Sequence, residues 1–271
     1  MTGQASAVPA GVPDDASWPP PDPGAAPMTA MVAAQAGLEL RTLLRNGEQL
    51  LLTLIIPVLL LAVFGTESLI SVGPGSRIGF IAPGILALAV LSTSFTSLAI
   101  GTAFERKYGV LKRIGATPLS RVGLICAKAV TVLAVEFGQA VIIVTVGLLI
   151  GWRPLLSPAG LAGVLLVMIT GSFAFSGLAM VLAGTLRAEA TLAAANLVYL
   201  VLLGIGGVLF PLAKFPAAIR PALRLLPSGA LSDGLRSVLR YGAGLPARDL
   251  AVLAVWAVIG IAVAARTFRW D

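Results

Sequence analysis

The chain is predicted to be an all-α integral membrane protein with six transmembrane helices, and three observations carry that prediction. Of 271 residues, 58% are hydrophobic and only 11% charged. The mean hydropathy is +0.97. The apolar residues fall into long runs bounded by charge, as lipid-exposed spans require, whereas a soluble protein of this length carries roughly 25% charged residues. With no His and a single Cys, Cys126, the chain lacks the donors for a Cys/His zinc site, a Ser-His-Asp triad or an internal disulfide. Neither a metal nor a catalytic residue is expected. The net charge of +7 suits cytoplasmic loops and anionic headgroups, and no nucleic-acid partner is expected.

Residues 1–28 hold seven prolines and three Asp with no helical or strand periodicity, which predicts a disordered cytoplasmic tail. A secretory signal needs a basic start and an apolar stretch, yet no Lys or Arg precedes Arg41. The first span is therefore expected to remain in the mature protein. Residues 29–271 would form one transmembrane domain. It opens with an amphipathic helix at 31–48, with Leu40, Leu43 and Leu44 on one face and Arg41, Arg45 and Glu48 on the other. That pattern suits a helix lying in the membrane interface or a plain extension of the first span. Asn46-Gly47 would supply a bend.

A span needs about 20 residues to cross the hydrocarbon. The runs predict spans at about 49–66, 78–104, 122–152, 156–186, 190–210 and 249–266, the last lengthened because Asp249 and Arg266 can reach the interface with their side chains. Between spans two and three, Arg106, Lys107, Lys112, Arg113 and Arg121 face one acid, Glu105. This dense loop is expected in the cytoplasm, and with it both termini. Against that assignment stand Lys214, Arg220, Arg224, Arg236, Arg240 and Arg248, which would lie in an external segment.

Within the cytoplasmic loop, Val110, Leu111 and Ile114 predict a short amphipathic helix, with Thr117 capping the next helix and Pro118 at its first position. Such a helix between two long spans suits a mechanical contact; a basic loop that only sets topology would also explain it. After span five, Pro211, Pro216, Pro221 and Pro227 forbid a continuous helix while their neighbours are too apolar for a solvated loop. The breaks at Phe210, Pro211, Pro216 and Pro227 therefore predict a re-entrant segment, or a surface-lying loop. Leu231, Leu235, Val238 and Leu239 add an amphipathic stretch.

Span three holds the costliest side chains. Lys128, near its start, can carry its ammonium back to the interface. Glu136 cannot: charge at that depth costs about 2.5–3.5 kcal/mol, so Glu136 is expected to be protonated, hydrogen-bonded, or turned toward water or a partner subunit. Gln139 shares its face and can bond across to another helix. A direct Lys128–Glu136 pair is not expected on a straight helix. None of the lysines follows a Gly, so the chain carries no Walker A sequence and cannot be its own ATP motor.

Glu105, Arg106, Gly109, Leu111, Thr117 and Pro118 match E-R-x-x-G-x-L-x-x-x-x-x-T-P, and here the sequence resembles the permease subunits of ABC-2 type exporters. Tyr108 and Val110 stand where that family more commonly has a charged residue and Thr. The Pro-broken segment from Gly206 to Ser228 is similar as well. The resemblance implies a coupling segment formed by Glu105, Arg106, Gly109, Leu111, Arg113, Thr117 and Pro118, received by a separate ATPase. It implies two ATPase copies carrying Mg-ATP, no cofactor in this chain, and a second permease as homodimer or related heterodimer. It places the chain in a bacterial plasma membrane, exporting a small hydrophobic or amphipathic drug, antibiotic or lipid-like molecule. Two other functions remain open on the residues: a secondary transporter that moves protons on Glu136, and a non-transporting assembly factor.

Overall fold

A computed structural model describes Gly24 and residues 26–45, 47–66 and 76–267; of residues 48–53 and Arg121 it describes the backbone only. The tail at 1–23, Asn46 and the side chain of Glu48 lie outside the described residues. Every regular element among those described is helical.

The chain begins with α1 (Met28–Arg45) and α2 (Gly47–Thr66). Next comes α3 (Arg77–Val90), which runs through a π-helical segment (Leu91–Ser97) into α4 (Leu98–Lys107) as one apolar helix of 31 residues. A short α5 (Val110–Gly115) leads to α6 (Arg121–Leu149), α7 (Pro158–Thr185) and α8 (Ala188–Ile205). After a 3₁₀ turn at Leu212–Lys214 come α9 (Arg220–Leu225), α10 (Pro227–Leu239) and α11 (Ala247–Thr267).

Among the described residues, five helices are long and apolar enough to cross a membrane: Arg77–Lys107, Val122–Leu149, Pro158–Thr185, Ala188–Ile205 and Ala247–Thr267. The chain is thus a multi-pass membrane protein. Helix α2 has 20 residues, of which Leu54–Thr66 form a shorter apolar stretch. Three helices start on the same device. Ser76, Ser120 and Ser157 each accept, through Oγ, the amide N–H three residues on, from Gly79, Gly123 and Gly160. This corrects the expected cap of α6. Pro118 and Leu119 form a linker, Ser120 caps, and Thr117 instead donates to the Ile114 carbonyl at 2.6 Å, closing the end of α5.

Two boundaries also move. Span three stops at Leu149, because Gly151 turns the chain at φ 95° and drops Trp152 back against Gly147 as a buried plug. Span five stops at Ile205 rather than 210. The last span reaches from Ala247 to Thr267, enclosing both Asp249 and Arg266.

Helix α3 is buried from Gly79 to Val90 and forms the centre of the bundle. Helices α7 and α11 run along each other. Where they meet, a Cβ on Gly177 would lie 2.8 Å from the backbone of Gly260 and Ile261, so only glycine permits this approach. Helix α10 is buried except at Asp233 and Ser237, and packs against α3, α7 and α11. Leu231, Leu235 and Val238 have no exposure and Leu239 has 5%. A loop lying on the surface does not bury four such side chains.

Candidate functional site

The described segment from Glu105 to Pro118 divides into residues that hold it and residues that it presents. Lys128, 3% exposed, lies in a slot between two carboxylates. Its Nζ is 2.7 Å from Glu105 Oε2 and 3.2 Å from Glu39 Oε1, and neither acid is fully buried. One ammonium so joins α1, α4 and α6. The Coulomb attraction of two carboxylates offsets the desolvation that would otherwise expel the amine. Lys128 does turn toward the end of the bundle that carries Glu105, but it stops on carboxylates instead of open water. Helix α1 lies along the first turns of α6, where Thr131 Oγ1 donates to the Ala36 carbonyl at 3.3 Å.

On the other side of α4, Arg106 donates to the Leu186 carbonyl, and Lys107 pairs with Glu189. These contacts tie the end of α4 to the turn between α7 and α8. Gly109, at φ 72°, then turns the chain into α5 in a conformation that a side chain disfavours. Leu111 has no exposure and inserts into a small core with Leu119, Leu124, Met180 and Ala264. Ile114 packs on the edge of that core, while Val110 is 40% exposed on the open side. Arg113, Thr117 and Pro118 are exposed as well.

Sequence reasoning missed Glu39, Glu189 and Ser120. A signal for Glu39 was present. A lysine six residues inside a span calls for carboxylates, and the chain has only 12 acidic residues from which to choose.

A second polar group lies deeper. Glu136, 2% exposed, faces Ser94 of the π segment and Ser172 of α7, and neither of its oxygens has a hydrogen-bond partner among the described residues. One turn on, Gln139 Oε1 accepts from Thr93 Oγ1 at 3.0 Å, linking α6 to the π segment. The side-chain oxygens of Ser172 and Ser176 also have no hydrogen-bond partner among the described residues. A π segment widens the helix and leaves backbone pairing less regular, a feature frequent at functional sites.

At the opposite end, Arg236 of α10 is 4% exposed. It donates to three carbonyls, those of Gly207 at 2.5 Å, Val208 at 2.7 Å and Phe80 at 3.3 Å, and its guanidinium stacks 3.7 Å from the Phe80 ring centre. Ser232 donates to the Gly206 carbonyl at 3.0 Å. The break after α8 exposes carbonyls without helical partners, and α10 satisfies them. Of the expected breaks, Pro211 precedes the 3₁₀ turn, Pro227 begins α10, Pro216 is exposed, and Phe210 is 39% exposed. They fall along the stretch that joins α8 to α10. Among the described residues no group of His, Cys, Asp or Glu is placed to hold a metal ion.

Residues 73–266 match the family described as ABC-2 family transporter protein. The match covers well over half of the chain and takes in the central helix, the segment at 105–118, Glu136 and the Arg236 clamp. The chain belongs to this ABC-2 family. As an ABC-2 permease it is a membrane transport subunit of an ABC transporter, not catalytic by itself, and membership of the family implies association with an ABC ATPase. Comparison with individually curated proteins gives no match.

Proposed function

We propose that this ABC-2 permease is half of a dimeric export unit in which α5 receives the stroke of a partner ATPase and passes it to α4 and α6. The observation that carries this reading is the division of labour around α5: Lys128, Arg106, Lys107 and Leu111 hold the segment from several sides, while Val110, Arg113, Thr117 and Pro118 stand open. A short helix so held moves as a rigid body with the spans attached to it. In this reading α2 is the sixth span, α1 is the interfacial helix, and both termini and α5 lie in the cytoplasm. The Arg236 clamp and α10 form the external re-entrant segment. Two ATPase chains hydrolyse Mg-ATP, and spans two and five rearrange at the dimer centre, where α8 offers the exposed apolar side chains Leu197, Leu200 and Val201. The cargo is a small hydrophobic or lipid-like molecule, in keeping with the short connections between the described helices.

The test is a reconstituted complex in which ATP hydrolysis and transport are measured together. Arg113→Glu on the open face should lower both, because the partner no longer docks. Replacing Glu105 and Arg106 by Ala should leave hydrolysis and lose transport, because docking persists and the stroke is dissipated. Transport unchanged in both variants refutes the reading.

A specific observation favours one second reading. Glu136 is a buried carboxyl that faces Ser94 and Ser172 without a hydrogen-bond partner among the described residues, an arrangement that suits a proton carrier. Transport driven by a pH gradient without nucleotide, and lost in Glu136→Gln, would select it.

A further inference from the structure

The end of α4, the start of α5 and the turn between α7 and α8 enclose a cleft of about 440 Å³ lined by Arg106, Lys107, Lys112, Arg187 and Glu189. Four cations thus face one carboxylate. Two of them are committed, Arg106 to the Leu186 carbonyl and Lys107 to Glu189. Both of the others line the opening: Lys112 makes no hydrogen bond or ion pair among the described residues, and Arg187 makes none either, although it lies within the field of Glu189. Such an excess of positive charge raises the local concentration of anions.

The depth of the cleft says which anion. Lys107 closes one membrane-capable helix, Thr185 closes a second, and Ala188 opens a third. Helix α8 has only 18 residues, about 27 Å, so where it crosses the membrane its first turn at Ala188 and Glu189 lies at the edge of the hydrocarbon, and the cleft with it lies at the level of lipid headgroups. The residues that follow its lining along α4 and α8 are amphipathic. Tyr108 is 69% exposed, with Lys107 Nζ 6.0 Å from its ring centre, and Leu192, one turn into α8 from Glu189, is 42% exposed. Aromatic and basic side chains at this depth anchor to headgroups, and an exposed Leu one turn further in meets acyl chain.

We propose that this cleft binds the phosphate of an anionic phospholipid headgroup, with Lys112 and Arg187 supplying the uncommitted cations. The site rests on the positions of the span ends and is independent of the transport reading. Bound lipid would brace the α4–α8 junction beside the Lys107–Glu189 pair.

The experiment is native mass spectrometry of the purified full chain in detergent, titrated with phosphatidylglycerol or with phosphatidylcholine of the same acyl length. The wild-type chain should retain phosphatidylglycerol in preference to phosphatidylcholine. Each basic residue near a membrane surface contributes about fivefold, so Lys112→Ala with Arg187→Ala should weaken phosphatidylglycerol binding about 25-fold. Glu189→Gln removes the one acid and should strengthen it by about fivefold, an increase that misfolding cannot mimic. Equal retention of the two lipids, or an unchanged preference in the double variant, overturns the proposal. So does displacement of the lipid by millimolar inorganic phosphate, which would assign the cleft to the free ion. Capture of the ATPase lost in the double variant while lipid preference persists would assign it to the partner protein and overturn the proposal equally.

Discussion

The two ends of the bundle use cations in opposite ways. At the Glu105 end, Lys128 is matched by two carboxylates that keep partial contact with water, and Lys107 and Glu189 form an exposed pair. At the other end, Arg236 is held by three backbone carbonyls and the face of Phe80, with Asp233 and Arg240 the charged groups that act on it among the described residues. The first arrangement ties separate helices by side chains at the surface. The second closes a gap in the backbone from within the core. A joint of the first kind can rehydrate and re-form as helices shift, whereas the second has no water to take its place.

That difference ranks the effects of breaking each joint. Arg236→Met should be the most damaging, since it leaves three buried carbonyls unpaired, at about 3 kcal/mol or more. The thermal midpoint of the purified chain in detergent should fall sharply. Gly84→Ala attacks the same clamp from α3, because the added Cβ would meet the Val208 carbonyl and lie 2.8 Å from Arg236 Nη2. Overpacking of this kind costs about 2 kcal/mol or somewhat more. Little change in either variant would mean that the carbonyls find other partners and that the contrast between the ends is false.

Lys128→Met should cost less, about 2 kcal/mol, because Glu39 and Glu105 can recover water when their shared ammonium is lost. A sharper form adds Glu39→Gln and Glu105→Gln to the same chain, which should regain about half of the loss, since no charge is then left unmatched. No recovery would show that Lys128 acts by packing its stem. At the low end, Glu189→Gln should leave the midpoint unresolved from wild type, because the Lys107 pair is exposed to water on both sides.

The sequence made the membrane class and the order of elements legible, because apolar runs and Pro breaks are local signals. The segment at 105–118 was legible as a unit, yet its division into braces and open residues was not. Glu105, Arg106 and Leu111 turn inward to partners 23, 80 and more residues away, or into a core shared with α7 and α11, which no local spacing encodes. Arg236 was invisible for the same reason. As one of six basic residues in an apparent loop it looked like a topology exception, whereas the fold buries it. The cap of α6 was misplaced by three residues because Thr117-Pro118 and Ser120-Arg121 are both acceptable starts, and the Gly123 amide chose the second.

The most direct measurement places a photo-crosslinking residue at Arg113, on the open face of α5, and in a separate chain at Tyr241, which is 70% exposed at the other end. Each is irradiated in native membranes, and the crosslinked partner is sequenced. The expected result is a Walker A-bearing ATPase joined at Arg113 and absent at Tyr241. An ATPase joined at Tyr241, or at neither position, would contradict the assignment of α5 as the point where the motor acts.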